Sequence, residues 1–341
     1  MKIWTWKRNW LAKRAEEKAS KLAFEAVQRI AVLKHAALGD LVLTRPFLIT
    51  LRQYFPNAKI TLSVAKHYMN GLPHDLIDRV HVVHSKKNGK GLLARLKELR
   101  GLGEQDLLFD ISAVSRTFWI SRLTRAKLKV GFKHRLMHRF IYDIAVDRTG
   151  YKFEAETFMD QLLVLGLQYK WPLKFSLAAE KSPIEGSYIV YFPTASDNYK
   201  SWEFHRFAEL IRELQSRYPE HQHVLLAGIA DWEKKVCDKV EALIEYKSNF
   251  LRIDGGKDTF DIIAGASLLV SNDTGIRNLA IAYHTPTVCV FIATVPFTYA
   301  PHFDQHEIVF NTEGGQPEVK KVLDASVKIL TNTNDSNLSS R

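Results

Sequence analysis

Short apolar runs alternate along this chain with longer stretches in which apolar residues return every third or fourth position. In the first half the runs at 30–33, 59–64, 79–84, 106–111 and 129–132 read as strands. In the second half 187–192, 223–227, 250–253, 268–270 and 287–291 read the same way. Helical spacing fills the intervals. The clearest cases are 41–54, 276–283 with Ile276, Leu279, Ala280 and Tyr283 on one face, and a closing segment at 317–330. Strands that alternate with helices predict parallel sheets with crossover helices, and the pattern occurs twice. Between the halves, Glu180-Lys181-Ser182-Pro183-Ile184-Glu185-Gly186 is polar and carries Pro and Gly, the chemistry of a hinge. The expected organisation is therefore α/β: a basic helical extension over 1–29, Rossmann-like domains over 30–179 and 180–330, and a disordered Asn/Ser/Thr-rich tail over 331–341.

Composition narrows this picture. With 341 residues, 46% hydrophobic and 25% charged, the chain has the make-up of a soluble two-domain protein. No window holds the roughly 18 consecutive apolar residues of a membrane-spanning helix. Lys7, Arg8, Lys13 and Arg14 interrupt the N-terminus, so no signal peptide is expected and the protein should stay in the cytoplasm. Cys237 and Cys289 are too few for a disulfide scaffold, and Cys289 sits in an apolar run as a core residue would. The net charge of +11 points to an anionic partner: nucleic acid, an acidic membrane surface or a phosphorylated substrate. No recognised nucleic-acid module accompanies the charge, which disfavours the first. The first 29 residues lack Gly and Pro and should be helical. There Trp4, Trp6 and Trp10 interleave with Lys2, Lys7 and Arg8, which suits a membrane interface, while Trp10, Leu11, Leu22 and Phe24 equally suit packing on the domain surface. A second basic segment, with Lys86, Lys87, Lys90, Arg95, Lys97 and Arg100, reads as the solvated face of an amphipathic helix.

Chemistry concentrates where strands end. After the 268–270 strand, Asn272-Asp273-Thr274-Gly275 is a tight turn that opens a helix. Such a turn leaves backbone N–H groups and the positive end of a helix dipole at the C-terminal end of a strand, where open α/β sheets hold phosphate. After the first strand comes Lys34-His35-Ala36-Ala37-Leu38-Gly39-Asp40, with no G-x-G-x-x-G, which argues against a dinucleotide-dependent oxidoreductase. A carboxylate there can cap the following helix or accept a proton, and Asp40 can do both. After 187–192 comes a hydroxyl-rich loop with Thr194, Ser196, Lys200 and Trp202.

The wording of these stretches resembles the bacterial lipopolysaccharide heptosyltransferases, glycosyltransferase family 9. The carriers are Ser271, Asp273, Thr274, Gly275 and Thr285-Pro286; Leu38-Gly39-Asp40, Leu43-Thr44, Pro46, Leu51-Arg52 and Phe55-Pro56; and the Lys200-x-Trp202 loop. The likeness runs over about 30–330 and does not cover the N-terminal extension. One departure is Asn278, where the family usually has His. The resemblance implies the GT-B fold, two Rossmann-like domains facing a central cleft. It implies an inverting transfer from an ADP-sugar to an anionic lipopolysaccharide inner-core acceptor at the inner face of the inner membrane, with no cofactor and no metal. Asp40 would be the base, and Lys200, Ser196, Thr274 and Gly275 would hold the diphosphate. Thr194 and Asn278 belong to the same donor side, and Asp273 supports the turn or touches the donor sugar. Either Asp231 or Glu233 would meet the nucleoside, helix capping being the plainer role of Asp231. The basic segment Lys133, His134, Arg135, His138 and Arg139 would face the acceptor. A different nucleotide-sugar or acceptor in the same fold, or a non-catalytic sugar-nucleotide-binding protein, stands beside this reading.

Overall fold

The computed structural model describes the chain apart from residues 6–7, 67–70, 85–90, 113, 304 and 339–341, and gives the backbone alone for 92 and 333–338. Trp6, Lys7, Lys86, Lys87 and Lys90, named above, lie outside the described residues. The chain divides into two compact units, Met1–Phe175 and Ser176–Arg341. The division precedes the polar stretch expected as the hinge. That stretch is tied to the second unit by hydrogen bonds from the Glu180 N–H to Asp261 (2.8 Å) and from the Tyr188 hydroxyl to Ser182 (2.7 Å).

The first unit carries β1 (Trp10–Leu11), β2 (Arg29–Leu33), β3 (Lys59–Ala65), β4 (Arg79–Val83), β5 (Gln105–Asp110), β6 (Ala126–Phe132) and β7 (Ile144–Val146). Its helices are α1 (Ala15–Ser20), α2 (Leu38–Val42), α3 (Arg45–Tyr54), α4 (Leu92–Leu99), α5 (Ser115–Leu123) and α6 (Glu154–Leu163). The sheet runs β1-β7-β6-β5-β2-β3-β4 and is parallel except for β1. The second unit carries β8 (Tyr188–Phe192), α7 (Phe204–Arg217), β9 (Gln222–Ala227), α8 (Asp231–Glu241), β10 (Phe250–Asp254), α9 (Thr259–Ala264) and β11 (Leu268–Asn272). It ends with α10 (Gly275–Ala282), β12 (Thr287–Phe291), β13 (His306–Phe310) and α11 (Val319–Leu338). Its sheet is parallel throughout, in the order β10-β9-β8-β11-β12-β13. β5, β8, β11 and β12 are buried at every position, because helices cover both faces of a parallel sheet; hence the apolar runs at their centres.

Several expectations are corrected. The first 29 residues are not one helix: β1 pairs antiparallel with β7, Trp10 opposite Ala145, and only α1 is α-helical. The free N–H and C=O groups along the edge of β7 outweigh helix propensity at Trp10–Leu11. The helix expected over 41–54 is two, because Pro46 has no N–H to donate back to the preceding turn and its ring crowds it. α11 continues to Leu338, through most of the stretch expected as a disordered tail.

Both sheets have the doubly wound order in which the first parallel strand of the unit, β2 or β8, lies beside the fourth, β5 or β11. The strand order reverses at β2/β5 in the first unit and at β8/β11 in the second. At such a reversal the loops leave in opposite directions and open a crevice at the carboxyl ends of the strands.

Candidate active site

The chemistry-bearing loops leave at these two reversals. In the first unit, β2 runs into 34–37 and then α2. The loop is fixed at its start by a buried ion pair: Lys34 Nζ lies 3.2 Å from Glu154 and 4.1 Å from the centre of the Phe158 ring, and the exposed Arg148 reaches the same carboxylate at 3.0 Å. Burial pushes the Glu154 carboxyl up, but the two cations outweigh it and hold it below the ordinary range. One residue on, the His35 N–H donates to Ser112 Oγ (2.5 Å), and the Ser112 N–H donates to Asp110 Oδ1 (3.0 Å). Asp110 is fully buried and also accepts from the Tyr142 hydroxyl (2.7 Å). Burial, reinforced by that carboxylate, raises the Tyr142 phenol well above its usual value. Asp110 at the end of β5 therefore positions the loop after β2.

The His35 side chain begins a chain of hydrogen bonds. His81 Nε2 sits 2.8 Å from the Glu98 carbonyl, which only accepts, so that nitrogen donates. Burial keeps the His81 imidazole neutral, so its Nδ1 accepts from Ser63 Oγ (2.9 Å), and Ser63 Oγ accepts from His35 Nε2 (3.0 Å). Burial first, then the charge of Arg116, lowers His35 to about 3, and its Nδ1 is buried with no hydrogen-bond partner.

Asp40 follows as the third residue of α2. The N-cap of that helix is Ala37, with no side-chain cap, so Asp40 is not the capping residue. Half-buried in the first turn, its carboxylate sits where the helix dipole stabilises negative charge.

The basic segment expected to face the acceptor is split by the fold. Lys133 pairs with Asp147 (2.9 Å) and with the Arg8 carbonyl. His134 packs on the Phe118 ring at 5.1 Å, and His138 is buried against the edge of Trp10 at 5.4 Å. Arg135 and Arg139 are exposed. His138 is thus a packing residue, its imidazole held neutral chiefly by burial.

In the second unit, the loop after β8 is braced by Asn272 at the end of β11. Its buried side chain accepts from the Trp202 N–H (2.9 Å) and donates to the Pro193 carbonyl (2.8 Å). Trp202 is itself buried, edge-on to Phe207 at 5.1 Å, with its indole N–H on the Pro317 carbonyl (2.9 Å). Between these fixed points Lys200 ends a 3-10 turn, Asn198–Lys200, and makes no ion pair among the described residues. Ser196 is exposed and donates to Asp197 at 3.1 Å.

Thr194 is buried, and its hydroxyl donates to Glu233 at 3.3 Å. The other Glu233 oxygen accepts from the Ala230 N–H (3.0 Å), so Glu233 rather than Asp231 closes the start of α8. Its carboxylate lies over Gly228, where a Cβ would stand 2.1 Å from it, so a larger residue there would push the carboxylate aside.

Around α10 the N-cap is Thr274 and carries no side-chain cap bond; the Arg277 N–H turns back to the Thr274 carbonyl (3.1 Å), and the Gly275 and Ile276 N–H groups are left at the end of β11. Asp273 accepts from Thr294 (2.7 Å) and supports the turn. Asn278 is buried one turn further on. Sequence reading missed Arg277, a fully buried residue of α10 whose guanidinium lies 5.4 Å from the Phe291 ring and donates to the Tyr299 carbonyl. The available signal was a charge inside the apolar run of that helix. It missed Asn272 as well, a single amide closing a buried strand. Among the described residues no group of three or more His, Cys, Asp or Glu is gathered to hold a metal ion, and no helix is long and apolar enough to cross a membrane.

Residues 95–327 match the family model described as glycosyltransferase family 9 (heptosyltransferase). The lipopolysaccharide core heptosyltransferase OpsX of Haemophilus influenzae is 23% identical over 304 residues, 84% of this chain and 85% of the relative. Lipopolysaccharide heptosyltransferase 3 of Escherichia coli is 25% identical over 286 residues, 75% of this chain and 80% of that one. Among solved structures, the E. coli heptosyltransferase WaaC with ADP superposes with a TM-score of 0.72 at 18% identity, covering 89% of this chain and all (100%) of that one. The α/β architecture of two Rossmann-like units expected from the sequence, GT-B, is the fold observed.

Proposed function

The chain belongs to glycosyltransferase family 9, the heptosyltransferases, and from that premise we propose that it transfers heptose from ADP-heptose to the Kdo-bearing inner core of lipopolysaccharide, with inversion. The observation that carries the reading is the pairing of chemistry with topology. A carboxylate, Asp40, follows the first strand at one sheet reversal, and Lys200 and an uncapped helix N-terminus follow the two strands of the other. The acceptor hydroxyl attacks the anomeric carbon, Asp40 takes its proton, and the bond from that carbon to the diphosphate oxygen breaks. Charge then builds on the leaving ADP, where Lys200 and the N–H groups of Gly275 and Ile276 are suited to receive it. Asp273 and Asn272 hold the turn and the loop that carry those groups. A WaaC structure with ADP-2-deoxy-2-fluoro heptose supports the donor class by analogy. The acceptor places the enzyme's work at the cytoplasmic face of the inner membrane.

The test is a transfer assay with ADP-heptose and Kdo-lipid A, read by mass spectrometry of the lipid, with Asp40→Ala in parallel. A heptose-sized gain that is lost in Asp40→Ala is the expected result. No gain in the wild type, with thermal stabilisation by ADP retained, overturns the proposed substrates. Asn278 in place of the family's usual His favours a second reading, a different nucleotide-sugar or a different acceptor in the same fold. A panel of nucleotide-sugars separates the two.

A further inference from the structure

We propose that the face of the first unit around Trp119 and Phe140 docks on an anionic lipid bilayer. Four large apolar side chains stand in solvent there: Trp119 (58% exposed), Leu136 (65%), Met137 (41%) and Phe140 (78%). They come from α5 and from the turn that ends at the 3-10 segment Met137–Phe140. Trp119, Met137 and Phe140 rim a shallow apolar hollow of about 160 Å³ floored by Phe118 and Ile141, with Arg122 on its wall. A clustered exposed patch of this kind marks an interaction site rather than ordinary surface.

Its neighbourhood selects the partner. A second hollow, of about 640 Å³, shares Arg122, Phe140 and Ile141 with the first and is lined by Lys18, Arg100, Arg125, Lys129 and Arg139. Its one lining carboxylate, Asp143, is already engaged by Lys18 (2.7 Å) and by the Lys129 N–H (2.9 Å). Arg100, Arg122 and Arg139 are exposed and pair with no carboxylate among the described residues. An apolar wedge beside a basin with an excess of cations, three of them exposed arginines, is complementary to an amphiphile: acyl carbon for the wedge, headgroup phosphate for the basin. Tryptophan and phenylalanine with adjoining arginine are the residues that settle at a headgroup boundary. Nucleic acid would satisfy the cations but give Leu136 and Met137 no apolar phase to enter. The surface is argued from exposure and charge alone and stands whichever sugar the enzyme moves.

Co-sedimentation of the full chain with phosphatidylglycerol/phosphatidylcholine vesicles, against phosphatidylcholine vesicles, tests it. The vesicles contain no sugar acceptor, so the outcome is independent of heptose transfer. The expected result is binding to the anionic vesicles that weakens at high salt, because exposed cations are screened. The double variant Trp119→Ser/Phe140→Ser should keep the wild-type melting temperature and lose about tenfold or more in partitioning. Arg122→Glu should lose about fivefold or more. Tyr246→Ser, an exposed aromatic of the other unit, should bind as the wild type does. Absence of binding to the anionic vesicles, equal binding to neutral ones, or wild-type partitioning by the folded double variant would overturn the proposal.

Discussion

Lys200 is held by its surroundings rather than by a counter-ion. The chain before it is pinned through Pro193 and the chain after it through Trp202, both by Asn272, while the ammonium is left without a carboxylate partner. A fixed, unpaired cation is what a leaving diphosphate requires. Lys200→Ala is expected to lower kcat by about 100-fold with the fold intact, checked by steady-state kinetics beside circular dichroism. His223 makes a prediction of a different kind. Its Nε2 faces the Tyr218 carbonyl and therefore donates, so its Nδ1 accepts from the Tyr191 hydroxyl (2.8 Å). Burial lowers the imidazole to about 4. The unfolded chain therefore binds the proton more readily, and stability held at pH 7 is lost as pH falls from about 6.5 toward 4, by about 2 kcal/mol at pH 5 from this group. Urea midpoints at pH 7 and pH 5 check this, and His223→Gln should reduce the difference by about that 2 kcal/mol, the other buried histidines supplying the rest.

At the scale of elements, the loop proposed to hold the donor diphosphate depends on one amide. Asn272→Ala would leave the Trp202 N–H and the Pro193 carbonyl buried without partners, costing about 1–3 kcal/mol for each unsatisfied group. The loop bearing Lys200 should then loosen, and the thermal shift given by ADP should shrink by more than the drop in melting temperature accounts for. A merely structural amide would lower the melting temperature and leave the shift unchanged. Most strands of the two sheets were legible because burial on both faces writes itself as short apolar runs. β13 was not: His306–Phe310 is only partly buried and its sequence mixes polar and apolar residues. β1 was illegible for the opposite reason, since Trp10–Leu11 becomes a strand only because the edge of β7 is there to pair with.

Across the first unit, long-range polar contacts hold the loop that carries Asp40. Lys34 and Glu154, 120 positions apart, form a buried ion pair, and Arg148 shares the same carboxylate from the surface. Glu154→Ala would leave the Lys34 charge buried with no carboxylate and is expected to destabilise the protein by about 3–5 kcal/mol, read as a lower urea midpoint. By itself the sequence determined the alternation of strands and helices, the two doubly wound halves, and the positions of Asp40, Lys200 and the Thr274-Gly275 turn. Those features are local: periodicity, turn residues and short motifs are set by neighbours in the chain. Only the tertiary structure decided that Ser112 receives the His35 N–H, that Thr194 reaches Glu233, that His138 is packed against Trp10, and that Arg277 is wholly buried. Each of those depends on which distant residue arrives at a given place, and burial and hydrogen-bond partnership are set by that arrival and not by spacing along the chain.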